Sequence, residues 1–288
     1  MACWATVETT AGPDGVDGVN RPIWSEVAAE YAVEGWSDPG ELGALTFVAD
    51  RVRGTPILDL GVGGGRTVAL LRLLSSDYLA IDYTAELVAL CRERHPGVEV
   101  ELGDARDLGG LAEGSRGLVV FSNNGIDAVD HDGRQLVLDG VHRVLEPGGT
   151  FVYSTLNKDN PLFGAHPGTA ADISWVPGSL LPADPAVHVA ASQGDGDPSG
   201  DEAWLRTVRN WRRLRRQIRD EGEWGLAPFA AHEFGLLVHF TTLAGALGEL
   251  DRHGFDVAAV FACDSTIPLE PGQPVGAMYM HLVAHRRP

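Results

Sequence analysis

The chain has few cysteines, few basic residues and no long apolar run. Its three cysteines, Cys3, Cys91 and Cys263, are widely spaced and form no CxxC pair. That usage excludes a disulfide scaffold, leads to the expectation of a reducing, cytoplasmic setting, and gives no reason to expect a metal. No apolar stretch approaches the roughly 18–20 residues of a membrane span, so no membrane partner is expected. Residues 1–20 lack a positively charged segment followed by an apolar one, so no secretory leader is expected either. Only 22 Lys and Arg stand against 40 Asp and Glu, a net charge of −18 at pH 7. A surface this acidic repels phosphate backbones at long range, which argues against nucleic acid as a partner.

What is present is a chain of 288 residues, 44% hydrophobic, enough for one large domain or two small ones. Residues 1–20 are rich in Gly, Asp and Thr and are expected to be frayed and flexible. Helices are predicted from Pro22 to Trp36 and, opened by Pro39, from there to Arg53. The run Pro56-Ile-Leu-Asp-Leu-Gly61 reads as a buried parallel strand. Further strands are predicted at Tyr78–Asp82, Val98–Leu102, Gly117–Ser122 and Thr150–Thr155, with helices at Arg66–Leu74, Thr84–His95 and His131–Leu145 between them. This alternation implies right-handed crossovers and a doubly wound α/β sheet. Residues 157–235 break the rhythm with prolines and a polar stretch, followed by a helix in which seven arginines interleave with Trp204, Val208, Trp211, Leu214 and Ile218. The rhythm resumes with a helix at Thr242–His253 and strands at Phe255–Cys263 and Gly276–Ala284, close enough in sequence for an antiparallel hairpin. The expected organisation is one α/β domain, 21–156 with 236–288, carrying an inserted cap at 157–235.

Four segments at predicted strand ends carry the chemistry. Asp59-Leu-Gly61-Val-Gly63-Gly64-Gly65-Arg66 joins a strand to a helix, where glycines let backbone approach a ligand and helix N–H groups meet negative charge. A plain tight turn reads the same way. A dinucleotide fingerprint wants a third glycine where Arg66 stands, and a Walker A loop wants a lysine that is absent. Asp82, with Tyr83 beside it, can accept both hydroxyls of a ribose, or simply cap a helix. Asp104, followed by Ala105, can accept from an adenine amino group, or serve as a turn residue. Phe121-Ser122-Asn123-Asn124-Gly125 opens into a loop facing the crevice at the strands' carboxyl ends.

Together these segments resemble the class I S-adenosylmethionine-dependent methyltransferases. Ile57–Gly65 is similar to the family's first motif, Ala80-Ile-Asp82 to its ribose-binding end, Gly103-Asp-Ala-Arg106 to its adenine-side motif, and Arg143-Val-Leu-Glu-Pro-Gly-Gly149 to the turn before strand five. The resemblance covers about Trp24 to Thr155 closely and the terminal hairpin more loosely. It implies a Rossmann-like seven-stranded sheet with an antiparallel last strand, and S-adenosylmethionine (SAM) as cofactor with S-adenosylhomocysteine (SAH) as product. It also implies that Gly61 and Gly63 pack against the methionine part of the cofactor with Asp59 near its amino group. Asp82 would hold the ribose, Tyr83 flank the adenine, Asp104 and Ala105 hold the adenine edge, and Ser122 and Asn123 lie under the sulfonium. Arg66 would pair either with the cofactor carboxylate or with a neighbouring acid.

Methyl transfer is an in-line displacement, so alignment does most of the work and a base is needed only for acceptors that must lose a proton. The candidates are His131, His166, Tyr31 and Tyr153, with a first-turn helix residue the plainer reading of His131 and core packing that of Tyr31. The expected acceptor is a small organic molecule of secondary metabolism, methylated at O, N or C. The sequence leaves a homodimer open. Two other readings stay open, a SAM-binding protein acting as a cyclase or regulatory binder, and a dehydrogenase, against which Arg66 and the terminal hairpin argue.

Overall fold

The computed structural model describes residues 15–28, 36–169 and 198–288, with side chains in the last segment from residue 202. Four short apolar runs form the parallel heart of the molecule: β1 (Ile57–Leu60), β2 (Tyr78–Asp82), β3 (Glu99–Leu102) and β4 (Arg116–Phe121). β5 (Leu145–Leu156) continues them in parallel beside β4, and the hairpin β9 (Phe255–Ala262) and β10 (Tyr279–Arg286) completes a seven-stranded sheet of order β3-β2-β1-β4-β5-β10-β9. β10 runs antiparallel to both β5 and β9. The doubly wound fold with an antiparallel last strand is therefore present.

Side chains alternate across the sheet with a period of two, and this divides the core into two layers. Ile57, Tyr78, Ala80, Leu118 and Val120 point to one face, where they meet α2 (Pro39–Val52), α3 (Val68–Leu74) and α4 (Ala85–Arg94). Leu58, Leu79, Ile81, Val119 and Phe151 point to the other, under α5 (His131–Val144) and α7 (Leu243–Arg252). After β1 the chain winds outward through β2 and β3, then returns to the far side of β1 as β4. That reversal opens a crevice at the carboxyl ends of β1 and β4, the usual ligand position in such sheets.

Two boundaries differ from expectation. The first helix, α1, spans Val16–Glu26 instead of starting at Pro22, and residues 16–20 are not frayed, because Val16, Asp17, Val19 and Asn20 are buried. The Gly- and Asp-rich composition conceals a Val16, Val19, Asn20, Ile23 face at helical spacing. Asn20 fastens this helix: its side-chain amide donates to the carbonyls of Ala128 and Leu237 and its oxygen accepts from the Leu237 N–H. The second difference is in the inserted segment. Its described part holds α6 (Pro198–Leu214) and a separate antiparallel sheet of β6 (Arg219–Asp220), β7 (Trp224–Pro228) and β8 (Leu237–Thr241). This small sheet runs past residue 235 to Thr241, and a bridge between Asn157 and Thr241 brings its last strand beside the end of β5.

Candidate functional site

The loop after β1 turns sharply because Gly61 and Gly63 take φ values of +62° and +55°, which side-chain-bearing residues rarely adopt. A Cβ on Gly61 would come within 2.6 Å of the Phe121 ring at the end of β4, whereas the space over Gly63 is open. The Gly63 N–H donates to Asp82 Oδ2 at 3.0 Å, and the Thr84 N–H donates to Asp82 Oδ1 at 2.8 Å. The Asp82 carboxylate is thereby fixed at the end of β2 against the glycine loop, and burial raises its pKa. Each of its oxygens keeps acceptor capacity beyond the backbone bond it receives.

Asp59 lies on the helix α3–α4 side of β1, buried, with Oδ2 accepting from Thr67 Oγ1 and Tyr78 OH, both at 2.6 Å. Burial raises its pKa to about 6 against the pull of those two donors. Arg66 fills its guanidinium fork with Glu41, at 2.5 and 2.8 Å, donates to the Trp36 carbonyl and stacks on the Trp36 ring at 4.6 Å. Burial pushes the Glu41 carboxyl up, but the charge and hydrogen bonds of Arg66 outweigh it and hold its pKa at about 2. Of the two partners left open for Arg66, the neighbouring acid is the one it meets. Ser122, just past β4, also helps to lower the pKa of Glu41 in the first turn of α2. Asn123 and the following Asn124 both have positive φ, +51° and +58°, and the Asn124 N–H donates to Ser154 Oγ at 2.7 Å. Two consecutive left-handed side-chain-bearing residues store backbone strain at the mouth of the crevice.

On the other side, Tyr83 is covered by α1. The Arg21 guanidinium lies 4.4 Å over the Tyr83 ring and donates to Asp104 Oδ2 at 2.8 Å. Arg106 also grips Asp104, through Nε and its terminal amine, and reaches Asp17 of α1 at 2.7 Å. Burial pushes the Asp104 carboxyl up, but the hydrogen bonds and charge of Arg106, helped by Arg21, leave its pKa lowered. Ala105 is half-buried between these residues. Asp82, Tyr83, Asp104 and Gly63 thus gather along one edge of the crevice, while Glu41, Arg66 and Ser122 gather along the other.

The candidate bases are not brought together. His131 begins α5 behind the N-cap Asp130, and its Nδ1 lies 3.2 Å from Nε2 of His239 on β8, with Trp224 stacked on its ring at 4.1 Å. Burial lowers the pKa of His131 and, more strongly, of His239. His166 sits on an exposed turn and accepts the Gly168 N–H on Nδ1. Tyr31 lies outside the described residues. Sequence reasoning missed Arg21, Glu41, His239 and the buried Arg134, whose partners stand far away along the chain. The N-cap Asp38 was also missed: it accepts from Tyr279 OH at 3.0 Å and stands 2.8 Å from His281 Nε2.

Residues 57–149 match the family model described as "Methyltransferase domain". A protein of Mycolicibacterium smegmatis named "Probable S-adenosylmethionine-dependent methyltransferase" is 32% identical over 113 residues, 38% of this chain and 42% of that protein. A ubiquinone biosynthesis O-methyltransferase of Xanthomonas campestris pv. campestris is 31% identical over 126 residues, 41% of this chain and 51% of the relative. The chain thus spans about half the length, or less, of these curated relatives. The crystal structure of Burkholderia thailandensis 1,6-didemethyltoxoflavin-N1-methyltransferase, with 1,6-didemethyltoxoflavin and SAH bound, aligns with a TM-score of 0.56 at 14% identity. The alignment covers 98% of this chain and 94% of that one, a likeness of fold. Residues 57–149, which hold the glycine loop, Asp82 and Asp104, thus resemble a methyltransferase domain.

Proposed function

We propose that this chain binds SAM in the β1/β4 crevice and transfers its methyl group to a small organic molecule of secondary metabolism. The observation that carries the reading is the Asp82 carboxylate held by the Gly63 N–H beside an open space. A ribose diol entering there meets an acceptor already oriented by two backbone donors, and the left-handed Gly63 leaves room for the cofactor chain. Tyr83 and the Asp104 edge take the adenine, and Ser122 with Asn123 underlie the sulfonium. Arg66 acts through Glu41, setting the floor of the methionine end. Calorimetry is expected to show one SAH site in the micromolar range and none for NAD; an NAD site without an SAH site would turn the reading to a dehydrogenase.

In this arrangement Arg21 covers the face of Tyr83 that the adenine needs, so the cofactor must displace it. An ion pair this exposed contributes about 0.2–1 kcal/mol. Arg21→Ala is therefore expected to tighten SAH binding by up to about 5-fold, while weaker binding in calorimetry would make Arg21 part of the adenine site.

The acceptor pocket is built from α1, the Asn123–His131 segment and the insert. Ile23, Trp24, Phe163 and Phe229 pack around the buried Leu156, Phe240 and Tyr279, an apolar core that joins α1 to the insert. Both described histidines have Nδ1 engaged, one with His239 and one with Gly168. In His131 this leaves Nε2 as the nitrogen that can take a proton from a hydroxyl acceptor, whereas a neutral amine or a carboxylate needs no base.

A further inference from the structure

The three-dimensional fold assembles a set of side chains that the sequence spacing does not show. His131 of α5, His239 of β8 and Glu249 of α7 each turn one ligating atom to a common point, all within 4.8 Å of one another. His131 Nδ1 lies 3.2 Å from His239 Nε2 and 3.8 Å from Glu249 Oε1. We propose that His131, His239 and Glu249 form a binding site for a divalent cation of the zinc class, which ties the small sheet of the insert to α5 and α7.

Three features support it. Two imidazole nitrogens on one tetrahedral zinc, each about 2.0–2.1 Å away, stand roughly 3.3–3.4 Å apart, close to the separation found here. As a hydrogen bond alone, the same pair shares a single proton between two ring nitrogens. The candidate ligands are also oriented from outside. Trp224 stacks on the His131 ring with an interplanar angle of 6°, Arg134 Nε donates to Glu249 Oε2 at 2.8 Å, and Gln135 Nε2 donates to Oε1 at 3.1 Å. Such outer contacts fix ligand geometry in metal sites. Arg134 is itself answered by two carboxylates, Asp127 and Glu249, so Glu249 shares that guanidinium with a second acid. Two histidines and a glutamate match the ligand set of sites that keep further positions for water.

The test uses the full chain, treated with a chelator and then titrated with Co²⁺. One equivalent is expected to give the visible absorption of low-symmetry nitrogen–oxygen coordination, to be displaced by Zn²⁺, and to raise the unfolding temperature, because a ligand bound only by the folded state stabilises it. His131→Ala, at a partly exposed helix start, is expected to keep the fold by circular dichroism and lose at least 10-fold in affinity. His166→Ala, on a remote exposed turn, is expected to bind like the parent. No absorption change and no thermal shift at equimolar metal would overturn the proposal. So would parent-like affinity in His131→Ala.

Discussion

Replacing Arg134 by Ala is expected to cost about 3–5 kcal/mol of stability, a large part of the roughly 5–15 kcal/mol typical of a folded protein. The side chain is fully buried on α5, donating through Nη1 to Asp127 Oδ1 at 2.7 Å and through Nε to Glu249 Oε2 at 2.8 Å. Asp127 also accepts from Thr155 Oγ1 and from the Leu156 N–H, both at 2.7 Å, so the network fastens the loop after β4 to the end of β5. Removing the guanidinium leaves two carboxylates in the interior with no cation, and that uncompensated charge dominates the loss. A triple variant, Asp127→Asn with Arg134→Met and Glu249→Gln, is expected to recover most of the stability, since removing all the charges together removes their desolvation cost. Urea unfolding measures both. A loss below about 1 kcal/mol in the single variant would mean that water reaches the cluster.

Asp82→Ala is expected to weaken SAH binding by about 1–3 kcal/mol, or roughly 5–150-fold, the cost of leaving buried ribose hydroxyls without their acceptor. The same variant strips the Gly63 and Thr84 N–H groups of their partner, so Asp82→Asn, which keeps one acceptor oxygen, is expected to fall between. Calorimetry distinguishes the cases, and unchanged affinity in the alanine variant would remove Asp82 from the site.

The strands that build the crevice were legible because their signals are local. Ile57–Leu60 is a short apolar run ended by glycines, and Asp82 and Asp104 follow comparable runs, so position along the chain translates into position at the sheet edge. What was not legible depends on contacts between distant residues. Arg66 meets Glu41 and Trp36 only because α2 packs beside the glycine loop. Asp17 and Asn20 looked like part of a polar tail, yet burial against Arg106, Ala128 and Leu237 makes them the anchor of α1. β8 escaped notice because Leu237–Thr241 runs directly into the helix capped by Thr242, and its His239 gives no hint of a partner more than a hundred positions earlier. His131 read as an ordinary first-turn residue for the same reason.

The most direct measurement of the central claim is transfer of label from methyl-labelled SAM, with the protein offered small amines, carboxylates and phenols beside DNA, RNA and intact protein. Label in a small molecule, matched by SAH formed, is the predicted result. Label in macromolecules alone, or none anywhere from a protein that binds SAH, would contradict it.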